Sequence, residues 1–95
     1  NSKSLPDCMF CSSDVIASKF IHLARVAGLN IPDDIKVLGF DDIDISEHVG
    51  LSSILQHLEE SGKEAAGLII DRIKNPGKAP VTVSLQLKVM KRMTC

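Results

Sequence analysis

The sequence predicts an α/β fold, a parallel sheet flanked by helices. Three patterns carry this reading. Two short apolar runs, Cys8–Cys11 and Ile35–Phe40, bracket a stretch with helical periodicity, which makes a βαβ unit. A second helical pattern runs from about His57 to Lys74 and is stopped by Asn75-Pro76-Gly77. Beyond it, Val81, Val83, Leu85, Leu87 and Val89 alternate with Thr82, Ser84, Gln86 and Lys88, the period-two signature of a strand with one face on a core.

Each element has a local cause. Cys8–Cys11, after Pro6-Asp7, is continuously apolar, as expected of a strand covered on both faces in a parallel sheet. Ser12, Ser13 and Asp14 then offer side-chain oxygens to the orphan N–H groups of a first helical turn. The helix should run from about Val15 to Ala27, with Ile16, Phe20, Leu23, Ala24 and Ala27 on its apolar stripe and Gly28 in the left-handed position after its end. Asn30–Asp34, with Pro32, forms the return loop to the β-branched run that ends in Asp41-Asp42. The crossover is right-handed by the usual rule. Ile43–Gly50 reads as polar and broken, and Leu51–Gln56 as extended. On the second helix the stripe is Leu58, Gly62, Ala65, Ala66, Ile69 and Ile73, with Glu59 and Lys63 as a favourable i,i+4 pair.

Composition narrows the functional classes. At 95 residues the chain is one small domain at most, burying only ~60–65% of its unfolded surface. It has no Trp, no Tyr and three Phe, so the core is aliphatic and a flat ligand would need rings from elsewhere. Eleven basic and twelve acidic residues give a net charge of −1, which lacks the electrostatic footprint of a surface gripping a phosphate backbone. Three cysteines without framework spacing suit a reducing cytoplasm. There is no signal-peptide pattern and no apolar run near ~20 residues. The chain begins at Asn1 just before a strand-like run, and is read as a segment of a longer protein.

Ligands of open α/β sheets bind outside the carboxyl ends of the strands, and here those ends carry Ser12-Ser13-Asp14 and Asp41-Asp42. Hydroxyls and carboxylates there suit polyhydroxylated ligands, because an ionised Asp accepts charge-assisted hydrogen bonds from sugar hydroxyls. The competing reading is local: Ser13 and Asp14 cap a helix, and Asp41-Asp42 is a solvated turn. Other patterns fail physically. Cys8 and Cys11 have redox or zinc spacing, but residues three apart on a strand face opposite ways, so buried structural cysteines are expected. His22, His48 and His57 are scattered, so no metal site is read. Leu23–Asn30 resembles a helix-turn-helix turn, but Pro32 and the β-branched run after it oppose a second helix. Asp14, Asp41 and Asp42 lack the Lys, Thr or Gly-rich loop of a phosphoacceptor or Mg²⁺ pocket. No catalytic residue and no enzyme activity are expected.

Taken in order, Pro6-Asp7-Cys8-Met9-Phe10-Cys11-Ser12-Ser13-Asp14, Gly28, Ile31-Pro32-Asp33-Asp34-Ile35, Val37 and Gly39-Phe40-Asp41-Asp42 resemble the LacI/GalR family of transcription regulators. Leu51-Ser52-Ser53-Ile54-Leu55-Gln56, Gly62 with Ala65-Ala66, and Leu85–Arg92 continue the resemblance over nearly the whole chain. The Gly-Phe-Asp-Asp tetrapeptide alone is weak; the collinear series is strong. The resemblance implies a partial periplasmic-binding-protein-like (type I) fold, in which two α/β subdomains clamp an effector. Residues 1–50 would end the C-terminal subdomain, 51–85 would supply a crossover, helix and strand of the N-terminal subdomain, and 86–95 the closing strand and tail. On that basis the Leu58–Ile73 stripe would be exposed or covered by another chain.

The same resemblance implies site roles and partners. Ser13, Asp41 and Gln56 would contact a small-molecule effector, a carbohydrate or related compound. Asp14 and Asp42 would orient loops. Val15, Lys19, His22 and Val26, with Ile45–Val49, would lie at a homodimer interface. DNA would be met only through an N-terminal helix-turn-helix outside this chain, in a cytoplasmic protein with no membrane contact and no cofactor. Departures from the family pattern are Val49-Gly50 for Pro-Pro and Gln86 for a proline, which loosen the hinge, and Ser18-Lys19 for Leu-Gly. The alternative is a periplasmic sugar-binding protein of the same fold. Free cysteines, Asp41-Asp42 and the basic tail Lys88–Arg92 favour the regulator.

Overall fold

Pro6-Asp7 leads directly into β1 (Cys8–Phe10), whose apolar residues pair in parallel with β2 (Lys36–Leu38), Met9 opposite Val37. The computed structural model describes residues 5–95. It divides into two units, one made of the residues through Leu55 together with Lys88–Cys95, the other of Gln56–Leu87. The sequence-based boundaries stood at residues 50 and 85.

In the first unit, α1 (Asp14–Val26) joins β1 to β2. Ser13 takes the extended N-cap conformation and its Oγ accepts the Ile16 N–H at 3.2 Å. Gly28, at φ +91°, occupies the left-handed position that a side chain resists. α1 buries Ala17, Ile21 and Ala24, spaced i, i+4, i+7; of the stripe expected from apolarity Ala24 is buried and Phe20 half-buried, whereas Ile16 and Leu23 are 51% and 65% exposed. The small alanines allow close approach to the sheet, and the bulkier residues flank that contact. With Cys11, Val37 and Leu51, these side chains form the core, and Met9, Phe20 and Ile31 pack against it.

Only one face of β1 is covered among the described residues, in contrast to the expected double cover. Met9 is half-buried and Cys11 buried on the helix side, while Cys8 and Phe10, which alternate with them, are exposed. Cys8 is therefore not a buried structural cysteine. Burial does push the Cys11 thiol up.

Ile43–Gly50 is not broken: it contains α2 (Asp44–Val49). Six residues are too few to show helical periodicity, and the causes of this helix are tertiary. The Asp14 carboxylate accepts from Ile43 N at 3.0 Å and from Ser46 Oγ at 2.6 Å, which satisfies donors of its first turn. Gly50, at φ +73°, ends it with its N–H on the carbonyls of Ser46 and Glu47. β3 (Ser53–Leu55) then runs alongside β2, joined by isolated parallel bridges Leu38–Ser52 and Asp41–Leu55. β4 (Lys88–Met90) pairs antiparallel with β3, Ser53 opposite Met90. The tail closes the other side of β2: Thr94 O accepts from Val37 N at 2.7 Å, and buried Thr94 Oγ1 bridges Val37 O and Ser52 N at 2.8 and 2.9 Å.

The second unit contains α3 (Leu58–Lys74), which buries none of its residues. Leu58, Ile69 and Ile73 are 61%, 62% and 73% exposed. Glu59 and Lys63 make the expected i,i+4 pair at 3.5 Å, fully on the surface. Past the helix end, Lys78 Nζ meets Asp71 at 2.8 Å, and hydrogen bonds from Lys78 and Asn75 hold the Asp71 carboxyl below the usual carboxylate range. The alternating run Val81–Leu87 is not a strand. No partner strand lies beside it among the described residues, and period-two patterning without a ladder leaves the backbone polar groups unpaired.

A candidate effector-binding edge on the first unit

The carboxyl ends of β1 and β2 lie side by side in the parallel pair. Cys11 N donates to Leu38 O at 2.8 Å, and one step further Asp14 N donates to Phe40 O at 2.9 Å. Ser13 and Asp41 are the chain neighbours of this last pair, so the structure brings them to one edge of one sheet. Asp41 is half-buried, and its N–H donates to Ile54 O at 2.9 Å. Phe10 packs edge-to-face on Phe40, ring centroids 6.4 Å apart, and is 60% exposed. Aromatic surface thus stands at these strand ends, where composition alone suggested that rings must come from elsewhere.

Asp14 does not cap α1 towards solvent. It is fully buried and accepts from Ile43 N, Ser46 Oγ and Ser53 Oγ, the last at 2.7 Å. One carboxylate thereby ties the start of α1 to the start of α2 and to β3. The sheet makes room for it at Gly39, where an added Cβ would overlap Asp14 Oδ1 and come within 3.3 Å of Leu51 Cδ2.

Asp42 is not a solvated turn residue. Its N–H donates to Ser53 Oγ at 3.0 Å and its Oδ1 accepts from Arg92 Nη1 at 2.7 Å, in a pair whose side chains are only 13% and 15% exposed. Arg92 therefore does not belong to a solvated basic tail. The bond to Asp42 raises the Arg92 guanidinium further above its ordinary range, opposed by burial and helped by the charges of Asp42, Glu47 and Asp14. Sequence reasoning missed Arg92, Ser46, Ser53 and Thr94. Their partners lie 11 to 57 residues away in the chain, beyond the reach of any helical or strand spacing.

Gln56 opens the second unit, where it is half-buried and lines a groove of about 300 Å³ with Ser61, Glu64, Leu68 and Val83. Val15 and Val26 are 55% and 72% exposed on α1, and Lys19 and His22 are exposed on the same face, opposite Ala17, Ile21 and Ala24. Ile45 and Val49 of α2 are each 51% exposed. Among the described residues no group of three or more His, Cys, Asp or Glu could hold a metal ion, and no helix is long and apolar enough to cross a membrane.

Comparison with known proteins identifies the family and the fold. The family described as periplasmic binding protein-like domain matches residues 1–95. The ribose operon repressor of Haemophilus influenzae is 38% identical over 85 residues, which is 87% of this chain and 26% of the repressor. Among solved structures, a complex of the transcriptional regulator CelR with cellobiose superposes with a TM-score of 0.87 at 32% identity, over 94% of this chain and 28% of that one. A LacI family transcriptional regulator from Enterococcus faecium with bound ribose gives 0.86 at 31% identity, over 97% and 35%. The chain spans about a quarter of the length of the curated relatives it matches. The chain belongs to the periplasmic binding protein-like domain family, in its LacI/GalR branch.

Proposed function

We propose that this chain forms part of the effector-binding and dimerisation region of a LacI/GalR-type transcription regulator, a sensing module and not an enzyme, whose effector is a carbohydrate. The observation that carries the reading is the Asp14 N–Phe40 O bond, which sets Ser13 and Asp41 at the adjoining carboxyl ends of two parallel strands. The Asp41 carboxylate accepts two or more hydrogen bonds from vicinal hydroxyls, Ser13 adds a polar contact, and Phe10 offers a ring to an apolar sugar face. The similar proteins, repressors and regulators, two of them solved with cellobiose or ribose, favour this over a transport protein of the same fold. A regulator of this kind acts in the cytoplasm. Effector binding shifts a closure equilibrium, and in a dimer this changes the spacing of two DNA-binding heads.

Thermal shift of the full-length protein against a panel of mono- and disaccharides, ribose and cellobiose included, tests this. A sugar at ~100 times its Kd adds about 2.7 kcal/mol of stability. Asp41→Ala is expected to weaken binding about tenfold or more, the loss of one charge-assisted hydrogen-bonding group. No response to any sugar, or an undiminished response in Asp41→Ala, overturns the reading.

Dimerisation is assigned to the exposed faces of α1 and α2. Val26→Glu places a charge on the most exposed apolar residue of α1 without touching the core. Sedimentation is expected to shift from dimer towards monomer, with the melting temperature of the first unit little changed. An unaltered dimer places the interface elsewhere.

A further inference from the structure

We infer that Arg92 is a positioning residue: it clamps Asp42 and so fixes the left-handed turn from which Asp41 is presented to the effector. The inference rests on the carbohydrate-sensing reading for its consequence in binding, and on geometry alone for the clamp. Asp41 and Asp42 have φ of +105° and +55°, a region that residues with a Cβ avoid unless surrounding structure holds them there. Two consecutive residues of this kind need fixed partners. Asp41 N is held by Ile54 O, and Asp42 N by Ser53 Oγ.

The carboxylate of Asp42 is held by Arg92 alone among the described hydrogen bonds, and Arg92 is itself pinned three ways. Its Nη1 donates to Asp42 Oδ1 and to Leu51 O, each at 2.7 Å, and its N–H donates to Ser52 Oγ at 2.7 Å. Leu51, Ser52 and Ser53 are fully buried, so the far ends of these bonds do not move. Arg92, the Leu51–Ser53 segment and Asp42 form a closed ring of hydrogen bonds, and Asp41 lies one residue outside it. The ring commits Asp42 inward and separates the two adjacent carboxylates by role. It also makes Asp41 sensitive to a residue 51 positions away in the chain.

The experiment uses the full-length protein with Arg92→Met, Arg92→Lys and Thr94→Val. Thr94 is buried on the same tail and bridges Val37 and Ser52 without a hydrogen bond to Asp42, so its loss loosens the Ser52 backbone but leaves the Arg92–Asp42 pair in place. Amide hydrogen exchange over Asp41–Ile43, without ligand, is the first readout; affinity for ribose and cellobiose is the second. Arg92→Met is expected to speed exchange there and to weaken sugar binding, each about tenfold or more, through loss of the charged bonds to Asp42 and to Leu51 O. Arg92→Lys, which keeps the charge, should recover part of both. Thr94→Val should melt earlier yet keep wild-type exchange over this turn and sugar affinity within about twofold.

Wild-type exchange in Arg92→Met, or an equal rise in Thr94→Val, overturns the clamp. A loosened turn with unchanged sugar affinity overturns the positioning role while the sensing reading stands. If the wild type binds neither sugar, the choice of effector falls, and exchange decides whether Arg92 holds the turn.

Discussion

Asp14→Ala is expected to destabilise the first unit by about 3–5 kcal/mol, read as a lower denaturation midpoint in urea. Removing the carboxylate leaves Ile43 N, Ser46 Oγ and Ser53 Oγ without their acceptor, the two hydroxyls fully buried and Ile43 N partly so. Each buried donor left unsatisfied costs ~1–3 kcal/mol, and the void adds to that. The loss should be selective, with α2 fraying first, because both donors at its start use this group. Asp14→Asn should recover about half, since the amide keeps one oxygen acceptor and a rotating Ser hydroxyl can accept from its NH₂, whereas Ile43 N can only donate. A change below ~1 kcal/mol in Asp14→Ala would show that solvent reaches the site.

Gly39→Ala is expected to cost ~3 kcal/mol, at the upper end of ordinary overpacking. The new Cβ overlaps Asp14 Oδ1, and that oxygen cannot retreat without breaking its bond to Ser53 Oγ; Leu51 Cδ2, at 3.3 Å, blocks another way out. The two substitutions should couple. Once Asp14 is alanine, the obstacle at Gly39 is gone, so the double variant should be more stable than the summed single losses by ~1–3 kcal/mol. Strict additivity would mean that the β2 backbone, not the carboxylate, resists the methyl group.

Much of the architecture was legible because periodicity and punctuation are local. The 58–74 helix, the Ser13 cap, Gly28 and the parallel pair of apolar runs follow from neighbours within a few positions. The face of α1 was legible only in part: Ala24 and Phe20 lay on the expected stripe, but Ile16 and Leu23 continue it in sequence as well as Ala17 and Ile21 do. The sheet chose the smaller residues, because they permit close packing. The alternation of 81–87 was real in the sequence but needs a partner strand to become structure. The strand-end rule put Ser13 and Asp41 at one sheet edge, where the structure also has them, whereas the Asp14 node and the Asp42–Arg92 pair were hidden.

The sequence by itself determined the βαβ core, the α3 helix, the polar strand ends and the family likeness, all consequences of short-range pattern and residue order. The tertiary structure alone decided that Asp14 is a buried acceptor, that Ile43–Gly50 contains a helix, and that Arg92 turns inward to Asp42. These depend on groups 29 to 50 residues apart meeting in buried or part-buried surroundings. There a carboxylate must take whatever donors the fold supplies, and no spacing along the chain records which ones those are.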